Sequence, residues 1–383
     1  MNILILNYEY PPLGGGAGVC AQEHANGLVA LGNQVTVVTT HFSGLAEEET
    51  DGQLKIIRLN AKRRFLHASS IKEKLLWLFL SQRFLVEYCL NNKFDVCLAH
   101  FTIPGGVVAK RLKKKFGIPY VIISHGHDIP WFFPRQMFFY HLLVYFTVKK
   151  IIHSSDAIVV LKEKLKKNVI KFSGAGNQQK VTVIPNGCNT AFFKPDSNNK
   201  SDTFKIIFTG RLMAQKDPLT FLKALYIFNK KGINFNAEII GDGRLKEKIM
   251  CFIQKNHLGD KIAFRGWLNR EEMLEAYQSA HVHLVTSRIE AMSVSVLESL
   301  SAGAFLIATD AGGNALLIQH KENGFIVPER NATELAKAVE WYYYEKFLNH
   351  YTVPDEILNK FRKDYDWENI INSYNCLLEN ILK

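Results

Sequence analysis

Short apolar runs alternate with longer segments of helical periodicity along most of the chain. The runs in the first half, all rich in β-branched residues, lie at 3–7, 35–39, 95–99, 120–123, 157–160 and 181–184. The same pattern resumes in the second half, with runs at 205–208, 236–240, 262–264, 282–284, 305–307 and 325–327. Each run has the length of one strand, and strands that alternate with helices favour an α/β fold with a doubly wound parallel sheet.

A polar segment rich in turn residues separates the two halves. Residues 195–203 read PDSNNKSDT, a composition that is typical of a linker. A chain of 383 residues is also long for one domain. We therefore predict two Rossmann-like domains, 1–198 and 203–365, and an amphipathic C-terminal helix over 366–383.

The most informative stretch is residues 287–303, SRIEAMSVSVLESLSAG. It follows a predicted strand and contains two glutamates, Glu290 in a loop and Glu298 one turn into a predicted helix. The backbone N–H groups of residues 292–295 would lie at the helix start, where phosphate binds well. As an alternative, Ser295 and Glu298 fit a capping box, which is a purely structural feature.

Three other loops of the second half also follow predicted strands. Gly210 is followed by Arg211 and Lys216, which offer a planar fork and a point charge to phosphate oxygens. Gly241 begins a second glycine turn, and residues 267–268 follow the next strand. The alternatives are two surface cations and a core tryptophan.

A glycine-rich loop follows the first strand of the chain. Residues 14–18 read GGGAG and precede a predicted helix, so the backbone could approach a phosphate there. Residues 16–21 also fit a dinucleotide fingerprint. That alternative is weakened because residues 7–13 intervene after the strand, and because the second strand ends without an acid to hold a ribose.

A polar segment, SHGHD, follows the strand predicted at 120–123. Polar side chains at a strand end belong to a ligand site more often than to a core. His125 is therefore a candidate ligand contact. The alternatives are an internally bonded histidine, an Asp128 that caps a turn, and a Ser-His-Asp hydrolase, although no G-x-S-x-G elbow is found.

Taken in order, these motifs resemble those of the retaining GT-B glycosyltransferases of family 4, also called glycosyltransferase group 1. Glu290 and Glu298 resemble the family's glutamate–seven residues–glutamate motif, and residues 210–216 resemble its Gly-Arg-Leu and lysine segment. Residues 124–128 are similar to its His-Gly-x-Asp segment. The resemblance covers nearly the whole chain, with one departure: Leu316 occupies a position that is often acidic in the family.

The resemblance implies a GT-B fold, with two domains facing across a cleft. The N-terminal domain would bind the acceptor, the C-terminal domain would bind the donor, and the last helix would cross back to the first domain. The residues implied in catalysis are Glu290, His125, Arg211 and Lys216. Those implied in donor binding are Gly15, Gly16, Gly210, Gly241, Trp267, Leu268, Met292, Ser293, Val294 and Glu298. Those implied in acceptor binding are Gly14 and Asp128.

The resemblance also implies transfer of a hexose from a nucleotide diphosphate sugar, with UDP favoured as the nucleotide, to a hydroxyl of a glycan or lipid-linked acceptor. Assembly of cell-surface polysaccharide or lipopolysaccharide is the expected setting. We expect no cofactor and no metal, since the one Asp-x-Asp sequence, at 364–366, lies in the C-terminal region. A phosphorylase, a nucleotide-sugar hydrolase and a non-catalytic sugar-nucleotide-binding module remain as alternatives.

The positive charge of the chain is concentrated in its first half. Residues 1–200 contain 25 lysines and arginines against 13 acids, whereas the rest contains 22 against 23. Basic clusters at 62–64, 110–115, 149–150 and 162–167 accompany aromatic segments at 131–133 and 138–140. This combination suggests an anionic membrane surface or a lipid-phosphate substrate as a partner. The alternative is a solvated basic face beside a buried core segment. Nucleic acid is disfavoured because no known binding motif accompanies the charge.

The remaining features indicate a cytoplasmic protein, acting at the inner face of the cell membrane. The sequence begins directly with a strand pattern and lacks the charged region of a signal peptide. The longest apolar run, 137–148, is too short to span a bilayer. Six cysteines are scattered along the chain with no metal-ligand spacing. Most lie in apolar surroundings, which predicts buried free thiols in a reducing compartment.

Overall fold

The computed structural model describes residues 1–66, 68–130 and 138–383. The predicted aromatic segment at 131–133 and the start of the apolar run at 137 lie outside the described residues. The chain divides into two compact units. The first consists of Met1–Asn186 and Trp367–Lys383, and the second of Gly187–Asp366.

The first unit contains an eight-stranded sheet. Its strands are β1 (Asn2–Leu6), β2 (Gln34–Thr40), β3 (Glu48–Asp51), β4 (Leu54–Leu59), β5 (Val96–His100), β6 (Tyr120–Ile123), β7 (Ala157–Val160) and β8 (Val181–Val183). Its helices are α1 (Gly16–Ala30), α2 (Ile71–Asn91), α3 (Val107–Phe116), α4 (Phe138–Ser154) and α5 (Glu163–Ser173). Shorter helical turns lie at Phe101–Gly106 and Ala175–Lys180.

The second unit contains a six-stranded sheet. Its strands are β9 (Lys205–Thr209), β10 (Asn236–Ile240), β11 (Ile262–Gly266), β12 (Val282–Val285), β13 (Phe305–Thr309) and β14 (Gly324–Val327). Its helices are α6 (Pro218–Asn229), α7 (Lys246–Lys255), α8 (Arg270–Ser279), α9 (Val294–Ser301), α10 (Ala332–Tyr342) and α11 (Asp355–Tyr365). Shorter turns lie at Ser197–Asn199, Asn314–Leu316 and Tyr343–Phe347, and the last helix of the chain, α12 (Trp367–Leu382), belongs to the first unit.

Both sheets are doubly wound, with a reversal of strand order near the middle. The order is β3-β4-β2-β1-β5-β6-β7-β8 in the first unit and β11-β10-β9-β12-β13-β14 in the second. All described strand pairs are parallel except β3 with β4. Ligands of such sheets bind beyond the carboxyl ends of the strands, where the order reverses. That position lies between β1 and β5 in one unit and between β9 and β12 in the other.

The hydrophobic runs form the two cores, as their pattern predicts. Strands β5, β6 and β7 are buried at every residue, which explains their continuous rather than alternating apolar sequence. Sequence analysis did not predict β3 and β4. Strand β3 reads EETD and is fully exposed at the sheet edge, so it lacks an apolar signal.

The boundary between the units differs from the prediction. We expected the first domain to extend to residue 198, but the second unit begins at Gly187. The cause is local packing in the second unit. Phe193 is 2% exposed and packs on Tyr277. Ser301 Oγ donates to the Phe193 carbonyl at 2.5 Å. Further along, Lys200 Nζ donates to the Ala280 carbonyl at 2.5 Å. The linker-like sequence is thus anchored to the second unit.

Three surface expectations are refined by the structure. Four cysteines are buried as predicted, whereas Cys251 and Cys376 are exposed. Arg63, in the first basic cluster, is buried and donates to the carbonyls of Phe65 and Leu66, so its charge is not on the surface. Among the helices in the described parts of the chain, none has both the length and the apolar character needed to cross a membrane.

Candidate active site

The predicted residues of the second unit gather at the carboxyl edge of its sheet, on loops that follow β9, β10, β11 and β12. The Gly210 N–H donates to the Ile240 carbonyl at 2.9 Å, and the Gly241 N–H donates to the Gly266 carbonyl at 2.6 Å. A Cβ atom at Gly241 would lie 2.1 Å from the Gly210 carbonyl oxygen. Glycine is therefore required where these two loops touch.

Lys216 and Glu290 meet where the strand order reverses. The Lys216 Nζ atom lies 2.6 Å from Glu290 Oε1, with side chains 14% and 12% exposed. Ser287 Oγ donates to the same carboxylate oxygen at 3.0 Å. The structure therefore joins two predicted catalytic side chains that lie on loops after β9 and β12.

A second set of contacts fixes these two loops to each other. The Arg288 side chain pairs with Asp217, with Nε 2.9 Å from Oδ2, and the Arg288 N–H donates to the Gln215 carbonyl at 2.8 Å. The Gln215 amide in turn donates to the Ile289 carbonyl at 2.8 Å. These bonds therefore fix the residues on either side of Lys216 to the residues just before Glu290.

Glu298 lies in α9, one turn from its start, as predicted. The buried Tyr277 hydroxyl donates to Glu298 Oε2 at 3.2 Å, and burial, with the nearby Glu298 carboxylate, raises the Tyr277 pKa well above its usual value. The capping-box alternative is wrong. The N-cap of α9 is Ser293, its side chain makes no capping bond, and Ser293 Oγ instead lies 3.0 Å from Ser295 Oγ.

The other predicted donor residues lie around this junction. Met292, Ser293 and Val294 form the entry to α9 and are largely buried. Arg211 is exposed on the loop after β9. Trp267, after β11, is 48% exposed, so the core alternative does not apply to it, and Leu268 beside it is half-buried.

The predicted residues of the first unit also lie at the carboxyl edge of their sheet. Gly15 caps the start of α1 and Gly16 is its first residue. Gly14 has a φ of +93°, and a Cβ there would lie 2.6 Å from Glu9 Cβ, so the turn requires glycine. This loop follows β1, next to the reversal of strand order.

Asp128 has an internal role in the structure. Its two carboxylate oxygens accept from the Thr102 N–H and from Ser124 Oγ, each at 2.8 Å. This arrangement supports the alternative that Asp128 holds a turn. It also removes the hydrolase alternative, because Ser124 bonds to Asp128 while His125 bonds elsewhere.

His125 belongs to a buried row of three histidines that sequence analysis missed. His125 Nε2 lies 3.0 Å from His100 Nδ1, and His100 Nε2 lies 3.5 Å from His24 Nδ1. Burial lowers the pKa of His24 and of His125 to about 3, and that of His100 well below its usual value. We call His24, His100 and His125 the histidine row. The sequence signals for the row were the apolar positions that His24 and His100 occupy, in α1 and at the end of β5.

Comparison with known proteins assigns the family. Residues 14–192 match the model of Glycosyltransferase Family 4, and residues 189–354 match that of Glycosyl transferases group 1. An uncharacterized glycosyltransferase of Methanocaldococcus jannaschii is 25% identical over 99% of both chains. The UDP-Gal:alpha-D-GlcNAc-diphosphoundecaprenol alpha-1,3-galactosyltransferase of Escherichia coli is 26% identical over 69% of this chain and 70% of its own.

The fold agrees with this assignment. Sucrose-phosphate synthase from Thermosynechococcus elongatus superposes with a TM-score of 0.86 at 18% identity, covering 100% of this chain and 99% of its own. Two doubly wound α/β units, family models that together span most of the chain, and a relative that aligns over 99% of both chains all agree. The chain therefore belongs to the GT-B glycosyltransferases of family 4, or group 1, and is a glycosyltransferase.

Proposed function

We propose that the protein is a retaining, metal-independent hexosyltransferase that uses a UDP-sugar and a glycan or lipid-linked acceptor. The observation that carries this proposal is the Lys216–Glu290 pair, 2.6 Å apart at the point of strand reversal. A cation beside a carboxylate matches a donor whose diphosphate adjoins a hydroxylated sugar. Lys216 and Arg211 would bind the diphosphate, and Glu290 would accept hydrogen bonds from the sugar.

The transfer itself breaks one bond and forms another on the same face of the sugar. The bond between the anomeric carbon and the diphosphate oxygen breaks, and the electron pair leaves with the diphosphate. The acceptor oxygen bonds to the anomeric carbon, and its proton passes to the departing diphosphate. No protein side chain acts as a nucleophile in this scheme, so the task of the protein is to stabilise the leaving charge.

Besides the cations, the start of α9 would serve that purpose, whereas Glu298 and His125 would hold the donor. The first amides of α9, at Met292–Val294, lie at a helix N-terminus, where backbone N–H groups and the helix dipole favour an anion. Glu298, oriented by Tyr277, would accept from the ribose hydroxyls. In the first unit, His125 would hydrogen-bond a hydroxyl of the transferred sugar.

The choice of donor and acceptor rests on a relative and on surface chemistry. The Escherichia coli relative is named for a UDP-galactose donor and a diphosphoundecaprenol acceptor. In the first unit, α4 exposes Phe139, Leu143 and Phe146 by 79%, 84% and 73%. Such an apolar helix face on a basic domain suits an anionic membrane interface. We therefore propose a lipid-linked acceptor in surface polysaccharide or lipopolysaccharide assembly.

The donor site is tested by calorimetric titration of UDP, GDP, ADP and NADH into the wild type and the Arg211→Ala variant, each with and without EDTA. We expect UDP to bind and EDTA to have no effect. Arg211→Ala should weaken binding, whereas Lys223→Ala, which removes an exposed cation on α6, should not. Binding of NADH alone, or of no nucleotide, would refute the proposal.

The reaction is tested by product analysis with the UDP-sugar that binds. Transfer to a diphosphoundecaprenol-linked sugar, with retained anomeric configuration shown by NMR, is the expected result. Release of free sugar without acceptor would indicate a hydrolase, and tight UDP binding without turnover would indicate a binding module. Either result would contradict the proposed transfer.

The membrane interface is tested by flotation with vesicles that contain phosphatidylglycerol. We expect the wild type to float and Leu143→Glu to remain in solution. Leu348→Glu, at a leucine 51% exposed in the second unit, serves as the matched control and should float. Flotation of all three proteins, or of none, would contradict the assignment of this surface.

A further inference from the structure

The histidine row brings three elements of the first unit together. His24 lies in α1, His100 is the last residue of β5, and His125 follows β6. The three residues are 1%, 0% and 6% exposed. Imidazole groups this deeply buried need hydrogen-bond partners, and here each finds its partner in another histidine.

Aromatic rings pack against the row. The His24 ring lies 4.3 Å from the Tyr374 ring and 5.5 Å from the Trp367 ring, both of α12. The His125 ring lies 4.6 Å from the Phe101 ring. Burial is the main reason that the pKa of each histidine is low, so all three rings are neutral near pH 7.

Neutrality restricts where the protons can be. A neutral imidazole carries one N–H, and the two bonds of the row use both nitrogens of His100, Nδ1 of His24 and Nε2 of His125. If His125 donates from Nε2, His100 must donate from Nε2 to His24. If His24 donates from Nδ1, His100 must donate from Nδ1 to His125. In either direction all three histidines adopt the same tautomer.

The direction of the row decides what His125 offers to a ligand. Its Nδ1 atom is not used in the row. That nitrogen is a bare acceptor when the row carries its protons on Nε2, and an N–H donor when the protons are on Nδ1. A wrong tautomer can abolish a catalytic contact while leaving the geometry intact, as is known for the histidine of serine proteases.

We propose that His100 and His24 are positioning residues that fix the tautomer of His125, and with it the hydrogen bond that His125 makes to the transferred sugar. This inference rests on the proposed function for the sugar contact. The coupling of the three tautomers, however, is a property of the protein alone. It can be measured without donor or acceptor.

The first measurement is the imidazole ¹⁵N spectrum of the ligand-free protein, which distinguishes protonated from bare ring nitrogens. The three resonance pairs are assigned by single substitutions. We expect one tautomer, shared by all three histidines. A different tautomer in any one of them, or rapid averaging at His125, would overturn the inference.

Substitutions at two positions, His24 and His100, then test the direction of control. His24→Phe keeps an aromatic ring against α12 but removes the nitrogen that contacts His100, and it should change the tautomer ratio of His125 although the two residues do not bond. His100→Asn places an amide near the former Nδ1 and should retain a partner for His125. His100→Leu removes that partner. His41→Leu, which removes a ring bond to the Leu45 carbonyl outside the row, is the control.

Transferase kinetics give the functional readout. We expect His100→Leu to lower kcat/KM about tenfold, the effect of roughly one lost hydrogen bond, with partial recovery in His100→Asn and no change in His41→Leu. If the tautomers are coupled but the wild type shows no transferase activity, the proposed function fails while the coupling stands. If transfer occurs but the tautomer ratio of His125 is the same in the wild type, His24→Phe and His100→Leu, the inference itself fails.

Discussion

Gly312 provides a sharp test of the proposed donor site, because a matched glycine exists in the same unit. Gly312 has a φ of +73°, and a Cβ there would lie 2.6 Å from Glu290 Cβ. Gly232 has a φ of +74°, and a Cβ there would meet no atom within 4 Å. Alanine at either position has the same backbone cost, roughly 1–2 kcal/mol. Only Gly312→Ala adds a clash.

The size of that clash follows from the atom it meets. Glu290 Cβ is next to the backbone and cannot rotate away, so the loop that carries it must shift. Overpacking of this kind costs about 1–3 kcal/mol beyond the backbone term. The shift would also lengthen the bonds from Glu290 to Lys216 and Ser287. A displacement near 1 Å at a reacting centre can lower a rate about 100-fold.

The assay compares the two variants by calorimetry and by steady-state kinetics. For a unit of this size, each kcal/mol lowers Tm by about 2–4 °C, so Gly312→Ala should melt several degrees below Gly232→Ala. Its kcat should fall steeply, while Gly232→Ala should keep wild-type kinetics. Equal Tm values would refute the steric argument. A lower Tm with unchanged kcat would refute the role of Glu290.

Three further predictions follow from single contacts. Tyr277→Phe should weaken UDP binding about tenfold by calorimetry, since the charged Glu298 carboxylate loses the hydrogen bond that the Tyr277 hydroxyl donates to it; unchanged affinity would contradict the orienting role of Tyr277. Gly27→Ala should lower Tm, because its Cβ would lie 2.5 Å from Ile371 Cγ1. Adding Ile371→Ala should then cost less than the sum of the single effects, and strict additivity would contradict the contact. Lastly, stability should fall as pH drops from about 6.5 towards about 3, because His24 and His125, whose pKa is lowered to about 3 in the folded protein, take up protons only on unfolding. Each contributes up to about 1.4 kcal/mol per pH unit, and equal urea midpoints at pH 7 and pH 5 would contradict this.

Sequence reasoning identified what is encoded locally. The apolar runs indicated the strands of both cores, and the polar residues after each run indicated which loops carry chemistry. It failed where the local signal was weak or misleading. Strand β3 is exposed and polar. The linker-like segment 195–203 belongs to the second unit, in which the preceding Phe193 is packed. Ser295 fits the sequence pattern of a capping box, although the N-cap of α9 is Ser293.

Contacts between distant parts of the chain could not be predicted from local sequence patterns, because they depend on the order of the strands in the sheet. Lys216 and Glu290 could each be assigned to a strand end, yet nothing local shows that β9 and β12 are neighbours. The same holds for the histidine row, where His24 and His100 lie at apolar positions of a helix and a strand. Burial of a polar side chain is tolerated only where the fold supplies its partner. A histidine within a hydrophobic pattern therefore predicts a buried hydrogen-bond partner, and the folded structure identifies the residue that provides it.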